Sequence, residues 1–243
     1  MDKPVAVVSG GAQGIGFATV RLLAQRGFQV LALDIRQEVE HAARSLRDEG
    51  LSVEGRVADV TDRSAIVGAL KDHLKINTVV CAAGIIVYKP FEEVAEEDFR
   101  RIFNVNVMGV FLLAQEGLKR MDRGGRIIMI SSRGVLDDRN TSPYIASKSA
   151  VVGLVRALAA ELRERGIIVN VVAPGFTETP MVKIFPKDVY EAASKREPRG
   201  HAADPSEIAP AIAFLTSPEA ASITGQTLFV DGGKSLGGLG NAV

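Results

Sequence analysis

The chain lacks tryptophan, has one cysteine, Cys81, and carries no net charge, with 29 acidic and 29 basic residues among 243. One cysteine excludes an internal disulfide and a multi-cysteine metal site. An aromatic content of 5% argues against a surface that stacks on sugars or bases. Because there is no basic excess or basic stripe, the sequence predicts no nucleic-acid partner.

Long apolar runs and a secretory leader are also missing. No run reaches the length that spans a bilayer, and the first residues carry an acid, Asp2, and lead directly into a predicted strand. We therefore expect a soluble, cytoplasmic protein without a membrane partner. The three histidines, His41, His73 and His201, have no carboxylate or cysteine cluster at ligand spacing, so we predict no metal site and surface positions for all three.

Apolar segments of strand length alternate with helical patterns along the chain, in which 47% of the residues are hydrophobic. The predicted strands cover residues 5–8, 28–33, 51–58, 76–81, 126–130, 167–172 and 227–230. Helical patterns lie between them, including a long helix over residues 92–121 with a candidate break near its start. Nearly continuous apolar strands that alternate with helices indicate a parallel sheet covered on both faces. The expected fold class is α/β, a doubly wound, mostly parallel, seven-stranded Rossmann-type sheet.

No internal repeat or linker interrupts this pattern, so one domain is predicted over residues 1–243. Residues 176–203 lack a strand signal, are polar and contain three prolines. We expect them to form a lid over the substrate. In open parallel sheets, ligands bind at the carboxyl ends of the strands. The residues that directly follow predicted strands should therefore share one edge: Gly10, Asp34, Asp59, Gly84, Ser132 and Pro174.

A glycine-rich turn follows the first predicted strand. Gly10, Gly14 and Gly16 allow a sharp strand-to-helix turn whose backbone N–H groups face a phosphate at the helix N-terminus. Asp34 ends the next strand, where a carboxylate accepts a hydrogen bond from an adenosine ribose hydroxyl. A carboxylate repels a 2′-phosphate, and the turn has no Lys or Arg, so the sequence favours NAD over NADP. We interpret Arg36 as a solvated residue at the start of a helix.

Residues 142–148 predict the start of a helix, with Ser142 as the N-cap and Pro143 as the first helical residue. Tyr144 and Lys148 are four residues apart, so they share one helix face. An ammonium group about 4 Å from a phenol lowers the pKa of the phenol toward neutral pH. Tyr144 could then take up and release a proton, and we expect an acid–base pair at this position.

These motifs occur in order and at spacings that resemble the short-chain dehydrogenase/reductase family of the one-domain type, over nearly the whole chain. Residues 9–16 look like its cofactor turn, and Tyr144 with Lys148 is similar to its catalytic pair. The resemblance implies a catalytic set of Asn106, Ser132, Tyr144 and Lys148. It implies a cofactor site formed by Gly10, Gln13, Gly14, Ile15, Gly16, Asp34, Ile35, Asp59, Val60, Ala83, Gly84, Tyr144, Lys148, Pro174, Gly175, Thr177 and Thr179.

The resemblance also implies a reaction, the reversible transfer of hydride between NAD(H) and a small secondary alcohol or ketone. Tyr144, held partly as phenolate by Lys148 and by the positive nicotinamide, removes the alcohol proton, and Ser132 hydrogen-bonds the substrate oxygen. Asn106 orders a water that links Lys148 to solvent. The alternatives are an NADPH-dependent 3-oxoacyl carrier-protein reductase and a catalytically silent nucleotide-binding protein of the same fold. A methyltransferase would share the fold but has no use for the Tyr–Lys pair.

The sequence departs from the family pattern at two places. Cys81 and Ala82 stand where an asparagine is usual, so a side-chain hydrogen bond that supports the turn after this strand should be lost. The spacing from Ser132 to Tyr144 is one residue shorter than usual. Counting back from Tyr144 selects Ser131, whereas alignment on the strand end selects Ser132, which we favour. Only one of the two can face the substrate, because successive strand residues point to opposite sides.

Two helical segments, 102–114 and 151–160, are apolar almost all round. One face of each can cover the sheet, and the other requires a partner. We therefore expect a symmetric homo-oligomer, either a tetramer or a dimer.

Overall fold

The computed structural model describes residues 3–236, and the rest of the predicted 1–243 domain lies outside the described part. Seven strands form one sheet in the order β3-β2-β1-β4-β5-β6-β7, and all neighbouring strands are parallel. The predicted fold class is thus confirmed. The strands are β1 (Val5–Ser9), β2 (Gln29–Asp34), β3 (Val53–Val57), β4 (Thr78–Cys81), β5 (Arg126–Ile130), β6 (Ile168–Pro174) and β7 (Thr227–Val230).

Helices cover both faces of this sheet. Along each strand successive side chains point to opposite faces, so Val7 packs in the core under α3, α5 and α6, while Val8 packs in the core under α1, α2 and α8. The strands therefore need apolar residues at nearly every position. The α-helices are α1 (Gly14–Gln25), α2 (Glu38–Asp48), α3 (Arg63–Ala69), α4 (Glu96–Phe103), α5 (Val110–Leu118), α6 (Ser142–Leu162), α7 (Lys187–Lys195) and α8 (Pro205–Leu215).

The helix predicted over residues 92–121 is broken near its start, and its main part runs without interruption over residues 96–118 with a π-helical turn inside it. A 3₁₀ turn (Phe91–Glu93) precedes α4, and a π-helical turn (Asn104–Gly109) separates α4 from α5. The apolar pattern runs on through this turn, but close packing widens the backbone there. A Cβ on Gly109 would lie 2.7 Å from Val60 Cγ2, so Gly109 lets the turn press against the segment after β3.

The predicted start of α6 is wrong by one residue. Ser142 is the first helical residue, Thr141 is the N-cap without a side-chain hydrogen bond, and Pro143 lies in the first turn. Proline is tolerated there because the first N–H groups of a helix have no intrahelical partner. Tyr144 therefore lies in the first turn of α6, the longest helix in the described part of the chain.

The strands after β1 are added first toward one edge of the sheet (β2, β3) and then toward the other (β4 to β7), and this reversal opens a crevice at the carboxyl ends of β1 and β4. Residues 176–203 lie beside it. Their two ends are joined, because Glu178 N–H donates to Ala203 O (2.8 Å) and Ala203 N–H donates to Phe176 O (2.9 Å). Between these ends lie a 3₁₀ turn (Pro180–Ile184) and α7, neither of which has a buried residue. None of the helices in residues 3–236 combines the length and apolar character needed to cross a bilayer.

Candidate active site

The glycine-rich turn leads from β1 into α1. Gly10 has φ +69°, and a Cβ there would lie 2.9 Å from Ala83 N, while a Cβ on Gly16 would lie 2.1 Å from Gly10 O. Neither position can carry a side chain in this backbone. The turn thus leaves an open cradle at the N-terminus of α1, where unpaired N–H groups favour an anion. This shape fits the pyrophosphate of a dinucleotide.

Asp34 lies at the end of β2, beside this cradle. Its Oδ2 accepts a hydrogen bond from Ala12 N–H (3.2 Å), and its Oδ1 accepts one from Arg36 N–H (3.1 Å). The Arg36 guanidinium contacts Gln13 and forms an ion pair with Glu38 (3.0 Å). Asp34 is therefore fixed by the backbone, and the nearest cation is already paired with an acid.

The turn after β4 keeps its hydrogen bonds despite Cys81 and Ala82. Ser9 Oγ accepts from the N–H groups of both Ala82 and Ala83, each at 3.1 Å. Ala82 has no side chain that could make the asparagine's hydrogen bond, but Ser9 at the end of β1 supports the turn. Cys81 is buried, its Sγ lies 3.7 Å from Val110 O, and burial raises the pKa of its thiol to about 12. It is a packing residue.

The end of β6 forms the opposite side of the crevice. Gly175 N–H donates to Val230 O (2.9 Å), and the buried Thr177 hydroxyl donates to Gly175 O (3.0 Å). Thr179 packs beside Gly14, because a Cβ on that glycine would lie 3.2 Å from Thr179 Cγ2. The start of the 176–203 segment and the glycine-rich turn thus meet.

All seventeen residues predicted to bind the cofactor line one cavity of about 1300 Å³, together with Ser132. Asp59 and Val60 lie on its adenosine side, where Asp59 Oδ1 accepts from the Thr61 N–H and hydroxyl, both at 2.8 Å. Ile35 is 64% exposed on the same side. Asn106 does not line the cavity and lies behind it.

The two candidate serines have different surroundings. Ser131 is buried, and its hydroxyl donates to Lys148 O in α6 (2.9 Å). Ser132 lines the cavity, its Oγ accepts from Gly134 N–H (3.1 Å), and its hydroxyl contributes a lowering to the pKa of Tyr144. The geometry favours Ser132 as the serine that faces a substrate.

The expected lowering of the Tyr144 pKa is wrong. Lys148 Nζ donates to Ile130 O (2.8 Å) and lies 5.7 Å from the centroid of the Tyr144 ring. Burial raises the pKa of Tyr144 to about 12, with a smaller lowering by the Ser132 hydrogen bond and a further rise from the Asp138 charge. Burial also lowers the pKa of Lys148 to about 8. Loss of solvent outweighs the attraction between the two groups.

Asn106 lies in the π-helical turn and holds neighbouring backbone in place. Its Nδ2 donates to Ile85 O (2.9 Å) and to Ser147 Oγ (3.0 Å), and its Oδ1 accepts from Ile85 N–H (2.9 Å). A Cβ on Gly84 would lie 3.3 Å from Asn106 Oδ1 and 3.4 Å from Lys148 Nζ. The space between these two polar groups is therefore open because residue 84 is glycine.

Several cavity residues carry no spacing signal, and the sequence analysis did not identify them. They are Tyr88, whose ring lies 5.0 Å from that of Phe185, the carboxylate of Asp138, and the ion pair of Glu197 with Lys234. Away from the cavity, the surface position predicted for His73 is wrong. It is buried, with Nε2 3.2 Å from Glu54 Oε2. Within residues 3–236, no group of three or more metal-ligating side chains is found.

Comparison with known proteins agrees with this geometry. Residues 10–235 match a family model described as enoyl-(acyl carrier protein) reductase. The chain is 40% identical to cis-4-hydroxycyclohexanecarboxylate dehydrogenase from Sinomonas cyclohexanicum, over 94% of this chain and 95% of the relative. It is 36% identical to the 3-oxoacyl-[acyl-carrier-protein] reductase FabG from Thermotoga maritima, over 96% and 98%.

Solved structures give the same result. A variant of actinorhodin polyketide ketoreductase with NADPH superposes with a TM-score of 0.88 at 31% identity, over 96% of this chain and 98% of the other. A dehydrogenase/reductase from Sinorhizobium meliloti superposes with a TM-score of 0.90 at 31% identity, over 96% of both chains. The chain therefore belongs to the short-chain dehydrogenase/reductase family and is an oxidoreductase that acts on CH–OH groups.

Proposed function

We propose that this protein transfers hydride between NAD(H) and a secondary alcohol or ketone, with Tyr144 as the proton donor and acceptor. One observation supports this most directly. The Tyr144 phenol and the Ser132 hydroxyl line the same cavity as all the cofactor-site residues, and Ser132 is near enough to lower the pKa of the phenol against the effect of burial. A nicotinamide cofactor bound there would supply or accept the hydride.

The four catalytic candidates have separate tasks in this proposal. Ser132 hydrogen-bonds the substrate oxygen and holds it beside Tyr144. For reduction, the protonated Tyr144 gives its proton to that oxygen, and for oxidation its phenolate removes the alcohol proton. Lys148, with a pKa of about 8, exchanges protons near neutral pH and can restore the proton on Tyr144. Asn106 holds the segment after β4 and the first turns of α6 in register.

The cofactor proposed is NAD rather than NADP. The Asp34 carboxylate is held by two backbone N–H groups where a 2′-phosphate would approach, and Arg36 is paired with Glu38. The NADPH in the actinorhodin ketoreductase structure makes NADP the alternative. Titration with NADH and NADPH tests this directly, and we expect NADH to bind at least ten times more tightly.

A small secondary alcohol is the substrate class proposed, in line with the hydroxycyclohexanecarboxylate dehydrogenase relative. The FabG relatives make an NADPH-dependent 3-oxoacyl carrier-protein reductase the second candidate. Turnover of cycloalkanols with NAD against 3-oxoacyl thioesters with NADPH separates the two. Failure of both cofactors to bind would favour a catalytically silent protein of the same fold.

We further propose a single domain with residues 176–203 as its substrate lid, and a homo-oligomer, either a dimer or a tetramer. Phe99, Met108 and Phe111 support the oligomer, because they expose 37–47% of their surface on neighbouring helical segments. A cytoplasmic location is proposed because the reaction draws on the nicotinamide pool of the cell.

The experiment that tests the catalytic assignment is steady-state turnover of a secondary-alcohol panel by wild type and by Tyr144→Phe. We expect at least a thousandfold loss of kcat/KM, with cofactor affinity changed less than threefold. Tyr190→Phe is the matched control, because Tyr190 packs on Phe176 in the lid. Full activity of Tyr144→Phe would contradict the assignment.

A further inference from the structure

The loop between β5 and α6, residues 133–141, places one acidic group in the cavity without a cationic partner. Two aspartates follow each other in this loop. Asp137 forms an ion pair with Arg133, which also donates to Asp137 O (2.9 Å). Asp138 has no ion pair within residues 3–236, and its Oδ1 accepts only the neighbouring Arg139 N–H (2.8 Å). Its second oxygen, Oδ2, has no hydrogen-bond donor in the described chain.

That second oxygen lies close to the catalytic serine. The point where a Cβ of Gly134 would be is 3.2 Å from Asp138 Oδ2 and 3.3 Å from Ser132 Oγ. The two oxygens are therefore separated by no more than two such distances, and Ile145 Cδ1 lies 2.6 Å from the same point. The Asp138 charge also reaches Tyr144, whose pKa it raises.

The loop is fixed at this place. Asn140 has φ +60°, the one positive φ among the non-glycine residues of the described chain. Its carbonyl accepts from Lys89 N–H (2.7 Å), and its Nδ2 donates to Tyr88 Oη (3.1 Å). The Tyr88 ring in turn packs on Phe185 of the lid. The loop that carries Asp138 is thus held against Tyr88 and Lys89, while Asp138 itself is exposed where it lines the cavity.

We propose that Asp138 is a specificity-determining residue that accepts a hydrogen bond from a second polar group, a hydroxyl or an ammonium, on the carbon next to the carbinol. This inference rests on the proposed function. The preferred substrates are then vicinal diols or amino alcohols. A carboxylate only accepts hydrogen bonds. Ser132 and Asp138 line the same cavity, so a carbinol on Ser132 brings a polar group on its neighbouring carbon near Asp138, whereas a 2-hydroxy acid brings a second negative charge to it.

Turnover of four ring substrates by wild type and by Asp138→Asn and Asp138→Ala tests this. The substrates are cyclohexanol, cis-cyclohexane-1,2-diol, 2-aminocyclohexanol and 2-hydroxycyclohexanecarboxylate. For wild type we expect kcat/KM to be about tenfold higher for the diol or the amino alcohol than for cyclohexanol, from one charge-assisted hydrogen bond. Both variants should lose this ratio and gain turnover of the hydroxy acid. A preference for the diol alone identifies a hydroxyl, and one for the amino alcohol alone identifies an ammonium.

Asp48→Asn is the control, because it removes the same charge from an exposed carboxylate at the end of α2, away from the cavity. It should keep the wild-type ratios. Equal ratios in wild type and Asp138→Asn, or a wild-type preference for the hydroxy acid, would overturn the inference. If no alcohol is turned over with either cofactor, the proposed function fails. Calorimetric titration of the diol into wild type and Asp138→Asn then still decides whether Asp138 binds it.

Discussion

Lys148 shows how burial controls the chemistry of single residues in this site. The i, i+4 spacing correctly places it on the face of Tyr144, but spacing does not show depth or rotamer. In the structure Lys148 is 3% exposed and turns to the Ile130 carbonyl. The cost of burying an ion therefore decides both pKa values, and it moves them in opposite directions, with Tyr144 raised and Lys148 lowered.

The stability of the protein should depend on pH through Lys148. Below pH 8 the folded state buries a cation, and this penalty is relieved as the pH rises from about 8 toward the ordinary lysine pKa of about 10.4. We expect the free energy of unfolding to rise over this range by up to about 3 kcal/mol. Tyr144 opposes this only above pH 10, because its folded pKa is the higher one.

Urea unfolding of wild type and Lys148→Met at pH 7.5, 8.5 and 9.5 measures this effect. The variant should show a smaller rise, whereas Lys71→Met, at an exposed lysine, should follow wild type. If the free energy of unfolding rises equally with pH in wild type and in Lys148→Met, the buried cation is not the source of the rise.

Asp34 gives a second prediction for a single residue. Asp34→Ser removes the charge and keeps an oxygen that can accept from Ala12 N–H. We expect the affinity for NADPH relative to NADH to rise at least tenfold, because a 2′-phosphate no longer meets a carboxylate. Fluorescence titration with both cofactors measures the ratio, with Asp48→Ser as the control. A wild type that already prefers NADPH would contradict this reading of Asp34.

At the scale of elements, the sequence predicted which segments form strands and helices better than it predicted where they begin and end. The strand that ends before Ser132 has the predicted limits of 126–130. The segment 92–121 was predicted as a helix with a candidate break near its start, but its π-helical turn was not predicted, because apolar residues continue through that turn at helical spacing. The contacts at this turn are tertiary: Asn106 bonds Ile85, and a Cβ on Gly109 would lie 2.7 Å from Val60 Cγ2. No pattern within the segment encodes those partners.

The proposed lid, residues 176–203, is also held by a tertiary contact, an ion pair between Glu197 and Lys234. Glu197 follows α7 and pairs with Lys234 (2.6 Å), and their side chains are only 6% and 19% exposed. Removing one partner leaves a buried charge, which typically costs 3–5 kcal/mol. Lys234→Met should therefore loosen the lid, increase its cleavage in limited proteolysis, and raise the KM for the alcohol more than it lowers kcat.

The matched control for the lid is Lys187→Met. Lys187 and Glu191 form an exposed pair on α7 at 3.9 Å, which should contribute little. The double variant Glu197→Gln, Lys234→Met should recover part of the loss because no buried charge is left alone. If Lys234→Met is cleaved no faster than Lys187→Met, the pair does not anchor the lid.

At the scale of the whole molecule, the sequence predicted the seven-stranded parallel sheet, because every strand is apolar on both faces and is followed by a helical pattern. The sequence also placed the predicted cofactor-binding residues at one edge of the sheet, because the carboxyl ends of parallel strands share one edge. The positions of Asp138 and Asn140 could not be predicted from the sequence. They lie in a loop, where position depends on contacts with Tyr88 and Lys89 rather than on a repeating pattern.

The oligomeric state is the prediction that belongs to this scale. Met108, in the π-helical turn, and Phe111, in α5, are 47% and 37% exposed. In α4 the rings of Phe99 and Phe103 stack with their centroids 4.6 Å apart. We expect light scattering to give at least twice the chain mass of 25.9 kDa. Met108→Glu with Phe111→Glu should shift it toward one chain, while Leu74→Glu, at an isolated exposed residue, should not. A single-chain mass for wild type would contradict the proposal.

The position of β1 in the middle of the sheet has a consequence for the order of events during synthesis. Val5 N–H donates to the side chain of Asn77 (2.8 Å), a partner 72 positions further along the chain. One edge of β1 therefore stays unpaired until β4 has been made, although β2 can pair with the other edge much earlier. A nascent chain arrested between β3 and β4 presents this apolar edge to chaperones and to other nascent chains, and slower translation of residues 58–78 should lengthen that exposure.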